Sequence, residues 1–503
     1  MPRDRIIIIG AGMGGLAAAV ALASRGEEVL LLERATAPGG KMRRLDVGGR
    51  MIDGGPTVLT MRWVFEELFA AAGAVLSEHV TLEPLSVLAR HAWSEAERLD
   101  LHADLKDSAD AIGRFAGPEE ARRFLAFSAE ARRIYETLEK PFIRSQRPNP
   151  FTLATADGLA GLARMARINP FETMWKGLGR HFRDRRLQQL FGRYATYCGS
   201  SPFLAPATLM LVAHVEQAGV WTVKGGMHEL ARALCTLARR KGAEIRFGED
   251  VTGIATKGGR VCSVRTAREE FQCSAVIVNA DANAVAAGLL GQQVRRAAAP
   301  VARDKRSLSA ITWAAAVETS GFPLARHNVF FSRDYAREFR ELTNGYPSEP
   351  TVYVCAQDRE GHGAGPERLL LLVNSPANGD HAPENPDAVE RAMRAKLHRC
   401  GLNVAWDGGT TAITDPLSFG ALFPATGGAL YGRASHGWTA SFQRPGARTA
   451  IPGLYLAGGS AHPGPGVPMA ALSGLLAAES LMASRASMRW FRPAVTVGGT
   501  STA

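Results

Sequence analysis

Glycines at positions 10, 12, 14 and 15 follow four consecutive isoleucines, Ile6 to Ile9. A β-branched strand that runs into G-x-G-x-x-G and then an apolar helix has the chemistry to bind a dinucleotide. Gly10 permits the tight turn, Gly12 and Gly14 leave the backbone bare for a pyrophosphate, and Gly15 lets helix and strand pack closely. The helix, expected over Leu16–Ser24, then aims its unpaired N–H groups at the phosphate charge. The next strand, Val29–Leu32, ends at Glu33, where an acid reaches the ribose hydroxyls. A carboxylate there repels a 2′-phosphate and disfavours NADP. NAD and FAD both use this turn.

Two glycine loops follow at once, Pro38-Gly39-Gly40-Lys41-Met42 and Asp53-Gly54-Gly55-Pro56-Thr57. A fourth glycine segment, after the turn and these second and third loops, lies far downstream. There the strand at Leu454-Tyr455-Leu456 leads into Gly458-Gly459-Ser460-Ala461-His462-Pro463-Gly464-Pro465-Gly466-Val467-Pro468-Met469 and a small-residue helix, Ala470–Ala483. A helix N-terminus at that point can stabilise negative charge on a reduced ring. His462 is the one residue of this loop that could serve as acid or base. A hydrogen bond that orders the loop is the preferred role, and no catalytic residue is assigned.

These motifs, in this order, resemble the FAD proteins of the amine-oxidase and carotenoid-desaturase superfamily. The resemblance covers nearly the whole chain. It implies FAD, with the basic loop (Gly40, Lys41) along the diphosphate and Gly55-Pro56-Thr57 beside the flavin ring. It places Gly459, Ser460, Val467, Pro468 and Met469 on the ring's other side, and a backbone contact to adenine at Val251. Trp221–Leu234 resembles the family's return into the cofactor domain. Tyr194–Pro202 and Ile413–Gly432 resemble carotenoid (phytoene-type) desaturases rather than amine oxidases. The sequence is most similar to the 1-hydroxycarotenoid 3,4-desaturase (methoxyneurosporene dehydrogenase) branch found in purple photosynthetic bacteria, which serves spheroidene-type carotenoid synthesis. Pro465, and Ala before His462, depart from the usual phytoene desaturase form.

The implied chemistry is desaturation, removal of a hydride and a proton from adjacent carbons. The cation left behind is allylic and loses its proton easily, which agrees with the lack of an obvious acid–base pair. A hydroxylated substrate would need a polar partner inside an otherwise apolar tunnel, and the sequence does not say which residue it is. Phytoene or neurosporene desaturation and carotenoid isomerisation are alternatives. A more remote one is prenyl-lipid carriage without catalysis, as in the Rab GDP-dissociation inhibitors, which share the fold.

The elements that must position these loops form an α/β fold, a two-dinucleotide-binding (Rossmann-like) FAD domain with an inserted substrate domain. The expected cofactor domain is discontinuous, over 1–75, 216–295 and 410–485. Region 76–215 reads as helical, with helices at Glu119–Thr137, Thr155–Ala166 and Ala207–Ala218 and a loop at Arg147-Pro148-Asn149-Pro150. Region 296–409 reads as an antiparallel sheet with strands at Ala310–Glu318, Thr351–Ala356 and Leu369–Val373 and one helix, Pro386–His398. Residues 486–503 read as a mobile tail.

The chain has 503 residues, a net charge of +11 and six scattered cysteines without a C-x-x-C pair. That length asks for two or three domains. No metal or disulfide spacing is present. A basic surplus suits anionic lipid or nucleic acid, and no nucleic-acid module accompanies it. A lipophilic carotenoid stays in lipid, so a peripheral membrane contact on the cytoplasmic side of the bacterial inner membrane is expected. Lys176, Arg180, Arg183, Arg185 and Arg186, close to Trp175, Phe182 and Phe191, form the candidate surface. A solvated helix face is an equal reading of that cluster. Arg3, Arg5 and the apolar run Ile6 to Leu22 imitate a signal peptide, but the glycines interrupt it and no signal peptide is expected. Nothing in the sequence selects an oligomeric state or a final electron acceptor.

Overall fold

Ile6–Ile9 is the middle strand of a five-stranded parallel sheet. Its order is Leu454–Leu456, Ala275–Val278, Ile6–Ile9, Val29–Glu33, Glu244–Phe247. The computed structural model describes residues 4–146, 148, 168–169, 171–359, 366–381, 386–406 and 409–490. Four isoleucines in a row make sense because both faces of this sheet are covered. Ile6 and Ile8, with Val29, Leu31 and Ile277, pack under the helices Met13–Ala23, His228–Arg240 and Val467–Trp490. Ile7 and Ile9, with Leu30, Leu32, Val276 and Val278, pack under a three-stranded antiparallel sheet, Val251–Lys257, Arg260–Thr266 and Glu270–Gln272. The apparent signal peptide is therefore the central strand, the turn and the first helix. That helix starts at Met13, three residues before the expected Leu16, because Gly14 and Gly15 are held inside its first turn by tertiary packing.

A second, seven-stranded sheet runs Thr410–Thr414, Ser309–Val317, Glu367–Ser375, Val352–Ala356, His327–Phe330, Val87–Ala92, Arg98–His102. Its pairs are antiparallel except His327–Phe330 with Val87–Ala92. One face buries Ile311, Trp313, Val352, Val354, Leu369 and Leu371 against Val389, Met393 and Leu397 of the helix Pro386–Arg399. By strand alternation the other face carries Thr312, Tyr353, Leu370, Leu372 and Asn374, and these line a cavity.

Three expectations need correction. Region 76–215 is not wholly helical, because the hairpin Val87–Ala92/Arg98–His102 forms one edge of the large sheet. This hairpin lacks a long β-branched run; the sheet it joins decides its conformation. The sheet also takes Thr410–Thr414, which falls within the segment 410–485 expected to belong to the cofactor domain. Finally, Phe182 and Phe191 are buried, stacked on each other with ring centroids 5.0 Å apart, so they present no lipid-facing surface. The basic residues around them stand apart: Arg180 pairs with Glu172, and Arg186 with Asp184 and Glu97.

The helix Pro118–Leu138 covers the one expected over Glu119–Thr137. The segment Ala207–Ala218 starts as a 3₁₀ turn, Ala207–Met210, before the helix Leu211–Gln217. The expected helix Thr155–Ala166 and all of the Arg147–Pro150 loop but Pro148 lie outside the described residues, as does the tail beyond Trp490. The helix Val467–Trp490 takes in the start of that expected tail. Among the described residues one stretch, Val467–Ser487, is long and apolar enough to cross a membrane, and 61% of its apolar window is buried inside the protein.

Candidate functional site

The expected cofactor residues come together around one cavity of about 980 Å³ between the two sheets. Gly10, Gly12, Gly14 and Glu33 line it, as do Gly40, Lys41, Gly55, Pro56, Thr57 and Val251, and so do Gly459, Ser460, Val467, Pro468 and Met469. Gly15 does not, because it faces the strand behind. A Cβ on Gly15 would sit 2.0 Å from the Gly10 carbonyl, so its role is the close packing of helix on strand.

The three glycine loops interlock. Gly39 N–H donates to the Ala11 carbonyl at 2.8 Å, which lays the second loop on the first. A Cβ on Gly55 would meet the Lys41 carbonyl at 1.8 Å, so the third loop lies on the second. Asp53 fixes that third loop. Its Oδ2 accepts from Met227 N–H at 2.7 Å, and its backbone exchanges two 3.0 Å hydrogen bonds with the Gln357 amide. Burial raises its pKa, and the Met227 bond opposes this.

Each loop offers what a dinucleotide needs. Both oxygens of the Glu33 carboxylate already accept a backbone N–H, from Ala11 at 2.6 Å and Ala35 at 2.8 Å. A carboxylate has about four acceptor positions, so lone pairs remain for a diol. Gly12, the N-cap of the helix Met13–Ala23, supplies no side-chain cap, which leaves first-turn N–H groups at the cavity wall. Lys41 is the nearby cation. Its Nζ donates to the Leu430 carbonyl and lies 5.1 Å from the centre of the Phe423 ring. Burial lowers its pKa, with Asp281 opposing. Val251 pairs with Thr266 at the start of its strand and reaches the cavity wall. At the far side the helix Val467–Trp490 starts directly after Gly466, with Pro468 in its first turn, where a missing N–H costs nothing.

His462 takes the loop-ordering role. It is buried, and its Nε2 donates to the carbonyls of Phe142 at 2.9 Å and Ser145 at 3.0 Å. Burial pulls its pKa down to about 4, so it is neutral at pH 7. It joins the last glycine loop to the helical region.

Several site residues escaped the sequence. Asn279 sits where the strand Ala275–Val278 ends, beside the glycine turn, and its Nδ2 donates to the Gly10 carbonyl at 3.2 Å. Ligands of such sheets bind at the carboxyl ends of the strands, so this position was open to prediction. Arg444 is buried and donates to the carbonyls of Arg433, Tyr431 and Gly459 at 2.6, 2.9 and 3.2 Å. It braces the last glycine loop, and no local pattern marks it.

A polar cluster was also missed. Tyr194 and Tyr197 each donate a hydroxyl to Glu216 at 2.5 Å. Arg193 Nη1 donates to the Tyr197 hydroxyl at 3.2 Å, and its guanidinium lies between the Tyr197 and Tyr353 rings, 5.1 and 5.4 Å from their centres. Tyr353 Oη in turn is 2.6 Å from Thr57 Oγ1 and 2.7 Å from His327 Nδ1. Burial raises the pKa of Glu216 despite its two tyrosine donors. Beside this cluster the cavity wall carries an apolar stretch of Leu209, Leu211, Val212, Leu370 and Leu372.

Comparison with known proteins agrees with this geometry. The family profile for flavin containing amine oxidoreductase matches residues 13–482. A hydroxyneurosporene desaturase of Rubrivivax gelatinosus is 54% identical over 99% of this chain and 97% of its own. A second protein of that name, from Cereibacter sphaeroides, is 44% identical over 96% of this chain and 98% of its own. Among solved structures, cyclohexylamine oxidase from Brevibacterium oxydans superposes with a TM-score of 0.57 at 15% identity, over 97% of this chain and 100% of that one. That likeness concerns the fold. The family, with the glycine turn and the bare helix N-terminus at the cavity, identifies the cofactor as FAD and the protein as an FAD-dependent oxidoreductase.

Proposed function

The chain belongs to the flavin-containing amine oxidoreductase family and, within it, to the carotenoid desaturases, and on that premise we propose that it introduces the 3,4 double bond of a 1-hydroxy (or 1-methoxy) acyclic carotenoid. The observation that carries this reading is the 54% identity with a hydroxyneurosporene desaturase along almost the full length of both chains. An apolar cavity that opens on the glycine loops and holds a small buried polar cluster supports it.

In this reading Glu33 holds the ribose of FAD, the Gly12–Gly14 turn and Lys41 the diphosphate, and Val251 the adenine. Gly55–Thr57 and Gly459–Met469 border the ring. The bound cofactor supplies the acceptor for the hydride that leaves the substrate. The chain's own residues then have three tasks. Leu209, Leu211, Val212, Leu370 and Leu372 take the hydrocarbon, whose burial is worth ~0.8 kcal/mol per CH₂. Asn279 and Arg444 hold the loops rigid around the reacting bond. The apolar wall keeps water from an allylic cation, which needs only a weak base to release its proton.

The substrate lives in lipid, so peripheral membrane contact belongs to the same reading. Its support has moved from the Trp175–Phe191 cluster to the cavity mouth. Trp438 lines the cavity and is 41% exposed, and its ring meets that of Phe171, 75% exposed, at 5.1 Å. Leu204, also exposed, lies beside them, its carbonyl bound to Gly437 N–H. Exposed large apolar side chains gathered at a pocket rim suit an interface with lipid.

The test is product analysis with purified FAD-loaded protein, given neurosporene and its 1-hydroxy derivative in separate reactions. A 3,4-desaturated product from the hydroxylated substrate is expected. Equal turnover of both would sink the assignment.

A further inference from the structure

The buried guanidinium of Arg193 is short of acceptors. Among the described residues its one acceptor is the Tyr197 hydroxyl, at 3.2 Å. An arginine carries five N–H donors, so most of this fork has no protein partner. Arg193 is nevertheless only 8% exposed and lines the cavity rather than the outer surface. Glu216, beside it through Tyr197, is 6% exposed and lines the same wall. Two tyrosine donors leave its carboxylate with spare lone pairs. Unused donors and unused acceptor positions therefore stand together beside the apolar stretch of Leu209, Leu211 and Val212. Such an arrangement is costly unless a ligand completes it.

Its place in the fold selects the ligand. Arg193 packs on the Tyr353 ring, and the Tyr353 hydroxyl is bonded to Thr57 of the third glycine loop. The polar cluster is thus contiguous with the loop that borders the reacting ring in the reading above, on which this step rests. In a 1-hydroxy carotenoid only a few bonds separate the tertiary alcohol from C3 and C4. An alcohol-binding group must then sit beside the reaction centre and not at the far end of the tunnel. Arg193 and Glu216 meet that demand.

We infer that Arg193 and Glu216 form the site that recognises the tertiary hydroxyl of the carotenoid, Arg193 donating to its oxygen and Glu216 accepting its proton. Tyr197 holds the two in register. A 1-methoxy end keeps the Arg193 bond and loses the one to Glu216. An unsubstituted end satisfies neither and leaves the spare Arg193 donors and Glu216 lone pairs buried against hydrocarbon.

The test measures binding apart from turnover. The FAD-loaded enzyme is chemically reduced, so that it binds carotenoid without oxidising it. Neurosporene, its 1-hydroxy and its 1-methoxy derivatives are titrated in detergent micelles, followed by the carotenoid absorption shift. The unaltered enzyme is expected to bind the hydroxylated form about 10–10²-fold tighter than neurosporene, with the methoxy form between them. In Arg193→Met the hydroxylated/unhydroxylated ratio should fall to within about threefold, with flavin content and visible spectrum retained. Should Arg193→Met lose flavin, Arg193→Lys, which keeps charge but not the fork, should lower the ratio about three- to tenfold. A ratio unchanged in the variants overturns the assignment and leaves the substrate reading standing. A changed flavin affinity or reduction potential with an unchanged ratio also overturns it and gives Arg193 to the cofactor. No preference in the unaltered enzyme overturns the substrate reading itself.

Discussion

Thr57 and Tyr353 share a hydrogen bond of 2.6 Å between residues 296 positions apart. It ties the third glycine loop to the middle of the seven-stranded sheet and so, in the proposed reading, the loop beside the flavin to the wall that takes the carotenoid. His327 accepts or donates on the other side of the same hydroxyl at 2.7 Å. Tyr353→Phe removes the hydroxyl both depend on and leaves them buried without it. We expect a loss of roughly 1–3 kcal/mol in stability, read as a lower thermal unfolding midpoint, with flavin still bound. An unchanged midpoint would show that the link carries no load.

Glu33 anchors the other end of the site. Glu33→Gln keeps the shape but places an amide NH₂ against one of the two N–H groups that now point at a carboxylate oxygen. FAD should bind about 10–10²-fold more weakly. Flavin retained through gel filtration, against free FAD concentration, measures this. Full retention would remove Glu33 from the ribose.

Three buried histidines make stability depend on pH. Burial lowers the pKa of His91 and His327 to about 3 and of His462 to about 4. An unfolded histidine titrates near 6.5. As pH falls below that value, the unfolded chain takes up protons that the folded chain refuses. The stability present at neutral pH is therefore lost progressively from about pH 6.5 down to about 4 for His462 and about 3 for His91 and His327, by about 2 kcal/mol per histidine at pH 5. His462→Gln keeps an N–H donor for the Phe142 and Ser145 carbonyls and removes one titrating group. Its unfolding midpoint should fall less steeply with acid. Its turnover at pH 7 should stay within about tenfold of the parent, since a general base would contribute about 10²-fold or more.

The exposed Phe171 and Trp438 pair supplies a membrane prediction. Phe171→Ser with Trp438→Ser should reduce co-sedimentation with liposomes several-fold while flavin content stays the same. Burying such side chains is worth roughly 1.5–3 kcal/mol each. Unaltered co-sedimentation would move the lipid contact elsewhere.

What could be read from the sequence divides along local and non-local lines. The strand Ile6–Ile9 with the glycine turn after it, the strand Val29–Leu32 running into Glu33 and the strand Leu454–Leu456 are set by short-range rules, and the structure has them within one residue of those bounds. The hairpin Val87–Ala92/Arg98–His102 was missed because its partner strand, His327–Phe330, lies over 200 positions away. Phe182 and Phe191 were misread for a related reason: near basic residues in sequence, they turn inward onto Phe127. Arg193 and Tyr353 carry no local signal either. Tyr353 follows from strand alternation only once the strand's inner and outer faces are known.

One contact has a consequence for how the protein is made. A Cβ on Gly474, in the last helix, would lie 2.0 Å from the Gly14 carbonyl of the first turn, so the two segments touch backbone to backbone. The glycine turn is translated before its partner helix, which lies more than 400 positions downstream. Until then the nascent chain has a diphosphate turn with no opposite wall. The wall that Val467, Pro468 and Met469 give the cavity is in place only once the helix Val467–Trp490 has been made.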